Sequence, residues 1–142
     1  MKSMMTIFLF LLGVTSYSQN NRYVGDYSQK LGNDKHTIEY TLSLNVDGTF
    51  IFHSYSNNED GIPAVVHTYG RGKWISNKEI LSFYLDEKSK SEKYTLDFSG
   101  TKARYITKSP RDTSDREIKT RLKFYESGIF WMKGIELLKL DN

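Results

Sequence analysis

The most regular feature of the chain is an alternation of apolar and polar residues over residues 36–46. A period of two is typical of a β-strand with one buried face and one solvated face. Asp47-Gly48 follows this run, and a second alternating run begins at Thr49. The two runs are therefore predicted to form a β-hairpin. The apolar members of the first run are Ile38, Tyr40, Leu42 and Leu44.

The register of this hairpin decides which side chains are buried. A two-residue turn would bury His53 and expose Phe50 and Phe52, whereas a three-residue loop with a left-handed Gly48 reverses this choice. Burying two phenylalanines, at about 2 kcal/mol each, outweighs burying one isoleucine with a histidine. The bulged register, in which Asn45 opposes the first residue of the second run, is therefore predicted.

Seven further runs with strand-like character follow, separated by turns rich in Gly, Ser, Asn and Asp. Two stretches also fit a helix, through a capping-box pattern at Ser76-Asn77-Lys78-Glu79 and the helical spacing of Ile118, Leu122 and Tyr125. Strand fits both at least as well and is preferred, with helix left open over 77–91 and 112–125. The seven predicted strands are 65–76, 80–86, 93–99, 101–108, 117–125, 129–133 and 135–140.

So many short antiparallel strands in one small unit predict an all-β fold. The expected architecture is an up-and-down meander closed into a small barrel of about eight to ten strands. No linker or repeat divides the chain, so residues 19–142 are predicted to form a single domain.

The N-terminus carries a separate signal. Lys2 precedes an apolar run over residues 4–14, which is shorter than the roughly 20 residues of a membrane-spanning helix. Small residues at Ser16 and Ser18 suit a signal-peptidase site before Gln19. Residues 1–18 are therefore predicted to be a secretory signal peptide, leaving a periplasmic or secreted product without a transmembrane anchor.

Composition narrows the possible partners and chemistry. The 142-residue chain has no cysteine, which excludes disulfides and a lipid-bearing cysteine, and its formal charge of +3 is too small to imply a polyanion. Nucleic acid is therefore not an expected partner. The sequence predicts neither an enzyme nor a cofactor, because no catalytic or phosphate-binding motif is visible. Oligomeric state is left open.

The chain has three histidines and no cysteine as nitrogen or sulfur ligands for a metal, and the spacing of the histidines matches no metal-binding motif. His53 and His67 would meet across adjacent strands, with Glu59 and Asp60 in the loop between them. Solvated polar side chains are the simpler interpretation, so no metal is predicted.

Residues 102–123 contain eight Lys or Arg against three acidic residues. Lys119, Arg121 and Lys123 are predicted to form a basic stripe on one strand face. Such a stripe suits anionic lipid headgroups or acidic glycans, and it equally suits plain solubility or protection of a sheet edge.

Four segments together resemble the lipocalin-like domains of exported bacterial proteins. The layout is similar to the N-terminal barrel of copper-resistance envelope lipoproteins, although their lipid-bearing cysteine and CxxC pair are missing here. The end of the predicted signal peptide resembles those of Bacteroidetes-type bacteria. The segments are Val24-Gly25-Asp26-Tyr27, Leu42 to Phe50, Gly72-Lys73-Trp74 and Ile80-Leu81-Ser82-Phe83.

The resemblance implies a non-catalytic binding module for a small apolar or amphipathic molecule. The alternative is a structural or interaction protein of the bacterial envelope, contacting protein or glycan, whose barrel core is filled. The aromatic residues expected to line a ligand cavity are Tyr40, Phe52, Trp74, Phe83, Phe98 and Phe124.

Overall fold

A computed structural model describes residues 21–89 and 91–141, and this part of the chain forms a closed antiparallel β-barrel. Each strand pairs with the next along the chain, and the last strand pairs with the first. The predicted all-β meander is confirmed, with eight strands. Residues 1–18, the predicted signal peptide, lie outside the described residues. The strands are β1 Gly25–Gly32, β2 His36–Leu44, β3 Thr49–Asn58, β4 Val65–Asn77, β5 Ile80–Tyr84, β6 Lys102–Ile106, β7 Arg121–Glu126 and β8 Glu136–Lys139.

The hairpin between β2 and β3 has the predicted bulged register. Asn45 N–H donates to the Thr49 carbonyl at 2.9 Å, and Gly48 N–H donates to the Asn45 carbonyl at 3.0 Å. Gly48 has a φ of 87°, the left-handed conformation that glycine adopts without a steric penalty. Phe50 and Phe52 are consequently buried.

Two predicted strands are wrong. Residues 93–99 form no strand: this segment meets β4 through the hydrogen bond from Leu96 N–H to the Tyr69 carbonyl and sends Phe98 into the core. Residues 129–133 form consecutive turns, in which Met132 N–H donates to the Ile129 carbonyl and Ile135 N–H to the Met132 carbonyl, both at 3.1 Å. The turns bring Met132 into the core, where it is fully buried.

Where the structure describes the two stretches that also fitted a helix, no residue is helical. A tight turn joins β4 to β5 at Lys78 and Glu79, whose φ values of 48° and 69° interrupt any helical continuation. β7 begins only at Arg121, so the predicted strand over 117–125 is too long at its start. Residues 80–84 are strand, as preferred.

Aromatic side chains fill the interior of the barrel. Phe83 lies 5.0 Å from Phe50 and 5.7 Å from Phe124, measured between ring centroids. Phe98 lies 5.1 Å from both Phe50 and Phe52. Edge-to-face and tilted pairs at these distances are favourable beyond the apolar area that they bury.

Phe98 completes this core opposite a glycine of β4. A Cβ atom built on Gly70 would lie 2.4 Å from Phe98 Cε2 and 2.8 Å from Cδ2. The absence of a side chain at Gly70 therefore makes room for the ring. Segment 94–98 is held against the same strand by the hydrogen bond from Leu96 N–H to the Tyr69 carbonyl, at 3.0 Å.

We expect Gly70→Ala to destabilise the protein by roughly 1–3 kcal/mol, because the added methyl group overpacks the contact with Phe98. Phe98→Leu should be destabilising alone but should offset part of the cost of Gly70→Ala, since the two sites share one contact. Urea denaturation of the two single variants and the double variant gives the coupling free energy. Strict additivity would show that Phe98 does not pack against Gly70.

Candidate functional site

The two ends of the barrel differ, and the first is closed by the segment before β1. Tyr23 is buried there, with its ring 6.4 Å from Trp74 and 4.9 Å from Tyr105. Arg22 forms an ion pair of 2.9 Å with Glu79 across the outside of this plug. The closed end therefore leaves Trp74 without access from solvent.

The indole of Trp74 also forms hydrogen bonds with the backbone of the barrel. Its Nε1–H lies 3.1 Å from the Thr49 carbonyl and 3.3 Å from the Asn45 carbonyl, so it caps the hairpin between β2 and β3. A buried indole needs such a partner, and here the partner is backbone.

At the opposite end, strands β1–β4 extend beyond the rest of the wall. β8 pairs with β1 only at Tyr27 and Ser28, and β5 pairs with β4 only from Lys73 onward. The remaining parts of the four strands form a sheet that overhangs the barrel. We call this sheet the overhang; it comprises residues 29–32, 36–40, 54–58 and 65–68.

The strand register determines which side chains lie on the inner face of the overhang. One cross-strand row has the same alternation as the buried core residues and contains apolar side chains at Leu31, Ile38 and Val66. Leu31 is 45% exposed and Val66 is 43% exposed, which is unusual for inward-facing positions of a barrel. Ser56 is the fourth member of this row.

The floor of the overhang is a stacked aromatic pair. The rings of Tyr40 and Trp131 lie 5.4 Å apart and are within 11° of parallel. Both rings also contact Phe52, at 6.0 and 6.1 Å. Tyr40 shares its inward row with Gln29, Ser54 and Thr68. The overhang therefore combines an aromatic floor, apolar walls and small polar groups.

All six aromatic residues expected to line a ligand cavity are buried. Their contacts are mainly with one another and with Phe50, as the ring pairs of the core show. Only Tyr40 and Phe52 approach the overhang. Their role in ligand binding stays a prediction, and the structure places Trp74 at the far, closed end. The six are Tyr40, Phe52, Trp74, Phe83, Phe98 and Phe124.

Two clefts on the molecule lie away from this aromatic set. One, of about 660 Å³, lies between the outer face of β4 and residues 86–89, where Lys73 and Asp86 form an ion pair of 3.5 Å. The other, of about 780 Å³, lies beside the closed end and includes Lys119 and Lys139. Oppositely charged side chains line both clefts, so neither matches an apolar ligand.

An aromatic stack occupies the outer face of β3 and β4. The ring of His53 lies 4.7 Å from Tyr69 and 5.1 Å from His67, nearly parallel to both. Lys93 Nζ lies 4.7 Å from the centroid of the Tyr69 ring and so caps the stack through a cation–π contact. The stack thereby fastens segment 91–98 to β4.

The two histidines share one hydrogen bond. His53 Nε2 and His67 Nδ1 are 2.8 Å apart, so one hydrogen atom lies between them. Burial lowers the pKa of His53, and the neighbouring His67 and Lys93 lower it further, while Glu39 of β2 acts in the opposite direction. Within the described residues, no three His, Asp or Glu side chains come together as metal ligands.

The predicted basic stripe is only partly a free surface. Lys119 and Lys123 are exposed, whereas Arg121 Nε lies 3.4 Å from Glu136 Oε1 on β8. Arg121 also donates to the Lys119 carbonyl at 3.3 Å. Lys119 precedes β7, so two of the three residues lie on the strand itself.

Sequence reasoning missed the overhang and its floor. Trp131 lies in a segment that was predicted as a strand, and its contact with Tyr40 spans 91 positions that no local pattern connects. Leu31 belongs to β1, whose alternation is weak because Gln29 and Ser28 give the strand no clear apolar face. The signal available in the sequence is Trp131 itself, an aromatic residue in the continuous apolar run from Ile129 to Met132.

Comparison of the chain with protein-family models, with curated proteins and with solved structures found no match in any of the three. The class of protein that the structure defines is a closed eight-stranded antiparallel β-barrel. This architecture is compatible with the lipocalin-like barrels that the sequence resembles. Over the described ranges, no helix has the length and apolar character needed to cross a membrane.

His53 should make the stability of the protein depend on pH. Because the fold disfavours protonated His53, the unfolded chain binds more protons than the folded protein below about pH 6.5. The stability that neutral His53 contributes is therefore fully present above that pH, and it falls as the pH decreases through the lowered pKa of His53. Urea midpoints measured between pH 7.5 and 5 should decrease, and His53→Gln should flatten the decrease.

His36→Gln is the matched control, because His36 is exposed and its ring forms a hydrogen bond with the neutral Ser56 Oγ, at 3.3 Å. This variant should keep the pH dependence of the parent protein. An unchanged slope in His53→Gln would show that other groups cause the acid sensitivity.

Proposed function

We propose that this protein is a binding module that takes a small apolar or amphipathic molecule at the overhang. The observation that carries the proposal is the stacked Tyr40–Trp131 floor, with Leu31 and Val66 exposed on the inner face above it. Apolar side chains that face inward yet remain nearly half exposed are the natural contact surface for an apolar ligand.

Polar groups beside this surface favour an amphipathic ligand. Ser54 and Thr68 share the inner row of Tyr40, and Ser56 shares the row of Val66. Ser56 Oγ also lies 3.3 Å from His36 Nε2 at the rim. A few hydroxyl groups among apolar side chains suit a molecule with an apolar body and one polar end.

The proposal includes export, which rests on the signal-peptide pattern of residues 1–18. The secreted protein should begin at or near Gln19, because Ser16 and Ser18 have the small side chains that signal peptidase requires. The intact mass of the secreted product measures this directly. A membrane-bound product that retains Met1 would contradict it.

We further propose that the module is not a catalyst, since its binding surface is apolar.

A second candidate is an envelope protein that interacts with protein or glycan. The filled core favours this alternative, because the buried Phe rings and Met132 occupy the interior in which a lipocalin-type ligand would lie. The overhang then serves as a contact surface for a macromolecule. Ligand binding at the overhang distinguishes the two candidates.

The test measures melting temperature and Trp131 fluorescence in a Trp74→Phe background, with fatty acids, retinoids and envelope lipids as probes. A ligand of the folded state stabilises it by about 2.7 kcal/mol at a hundredfold excess over its dissociation constant. At least one probe should raise the melting temperature and shift Trp131 emission, because Trp131 forms the floor of the overhang. If no probe does either, the interaction candidate takes first place.

Val66→Ser and Ile51→Ser form a matched pair of variants for this site. Their parent side chains are 43% and 46% exposed, but Val66 faces the inside of the overhang and Ile51 the outside of β3. Val66→Ser should weaken binding about fivefold to tenfold, from the loss of apolar contact, while Ile51→Ser should leave it unchanged. Equal effects would place the ligand elsewhere.

A further inference from the structure

Among the described residues, one edge of the overhang has backbone groups that no other strand pairs with. In an antiparallel pair, residues alternate between those that bond to the neighbouring strand and those whose N–H and C=O groups point away from it. Asn58 N–H donates to the Ala64 carbonyl and Trp74 N–H donates to the Gly48 carbonyl, both pairs lying on the β3–β4 register. Even-numbered residues of β4 therefore bond to β3.

Odd-numbered residues of β4 consequently point their backbone groups to the other side. Beyond Lys73 these groups meet β5, and at Tyr69 the carbonyl accepts the N–H of Leu96 at 3.0 Å. Val65 and His67 lie further along the same edge, where no strand of the described chain pairs with them. They present two N–H and two C=O groups, about 7 Å apart, which is the repeat of an extended strand.

This edge lacks the usual protection against strand pairing. Natural proteins blunt open edges with lysine, proline or a bulge. The opposite edge of the overhang, on β1, carries Lys30, whereas the β4 edge reads Val65-Val66-His67-Thr68 without charge or proline. The side chain of His67 is held in the stack on the outer face, so it does not cover the edge.

We propose that this edge binds an extended peptide of a partner protein by strand addition. An extended segment of the chain itself already binds the same edge of β4, since Leu96 in segment 94–98 donates to the Tyr69 carbonyl. A peptide would continue that contact toward Val65. Its alternate residues should be apolar, since every second side chain would turn to the inner face beside Val66, which is 43% exposed.

A second copy of the chain fits this edge less well. The free edge spans only four residues, or roughly 13 Å, whereas a stable interface between two rigid proteins buries at least about 1,000 Å². A flexible peptide avoids this limit because it can also lay its side chains on the inner face of the overhang. This peptide site goes beyond small-molecule binding and does not depend on it.

The experiment measures amide hydrogen exchange by NMR on the 15N-labelled protein. In the free protein, the Val65 and His67 amides should exchange much faster than those of Val66 and Thr68, which bond to β3. The probes are capped pentapeptides that alternate threonine with valine, isoleucine or phenylalanine. At least one should slow exchange at Val65 and His67 about tenfold at saturation, because each new backbone hydrogen bond protects its donor.

Two controls isolate the backbone contribution. Peptides N-methylated at the positions facing β4 keep their side chains but lose the donors, so they should not protect either amide. His67→Thr keeps the backbone N–H and should retain binding, whereas His67→Pro removes it and should abolish binding. If His67→Pro fails to fold, the N-methylated peptides decide alone.

Three results would overturn the proposal. The first is the absence of protection by any peptide of the panel at millimolar concentration. The second is equal protection by N-methylated peptides. The third is protection that rises with protein concentration without peptide, which would assign the edge to self-pairing.

Discussion

The register of the β2–β3 hairpin is the constraint on which the rest of this barrel depends. A single extra residue at the turn, made possible by the left-handed Gly48, puts Phe50 and Phe52 inside. A shift of one residue would move every side chain of β3 to the opposite face. Both rings contact Phe98, so the aromatic core around it could not assemble in the other register.

The lengths of the strands, rather than this register, create the overhang. Because β3 and β4 pair without a break from Thr49–Lys73 to Asn57–Val65, their hairpin is longer than β5 or β8 can cover. The barrel wall is therefore complete only near the closed end. Segment 94–98 fills part of the gap beside β4, and it does so with one backbone hydrogen bond and the ring of Phe98 rather than with a strand.

The fold was largely predictable, because alternation is a local signal and each buried face could be identified from one strand at a time. The all-β class, the bulged hairpin and the burial of Tyr40, Phe52 and Phe124 follow from such patterns. Segments 93–99 and 129–133 were wrongly predicted as strands. Each is a loop that places one residue in the core, Phe98 or Met132, and a short loop of this kind has the same apolar composition as a short strand. The overhang was not predictable, since it arises from unequal strand lengths around a closed sheet.

Because aromatic side chains fill the barrel interior, the incomplete part of the wall is the surface that remains open to another molecule. Closing a sheet removes its edges, and an unprotected edge normally favours aggregation. Here the exposed edge and the exposed inner face belong to the same four strands, next to Tyr40 and Trp131. Stability does not explain leaving Val65 and Val66 uncovered, because burying them would stabilise the fold by about 1–2 kcal/mol each. We propose that recognition of another molecule accounts for both exposures, whether the occupant is a small amphipathic molecule on the face or a peptide along the edge.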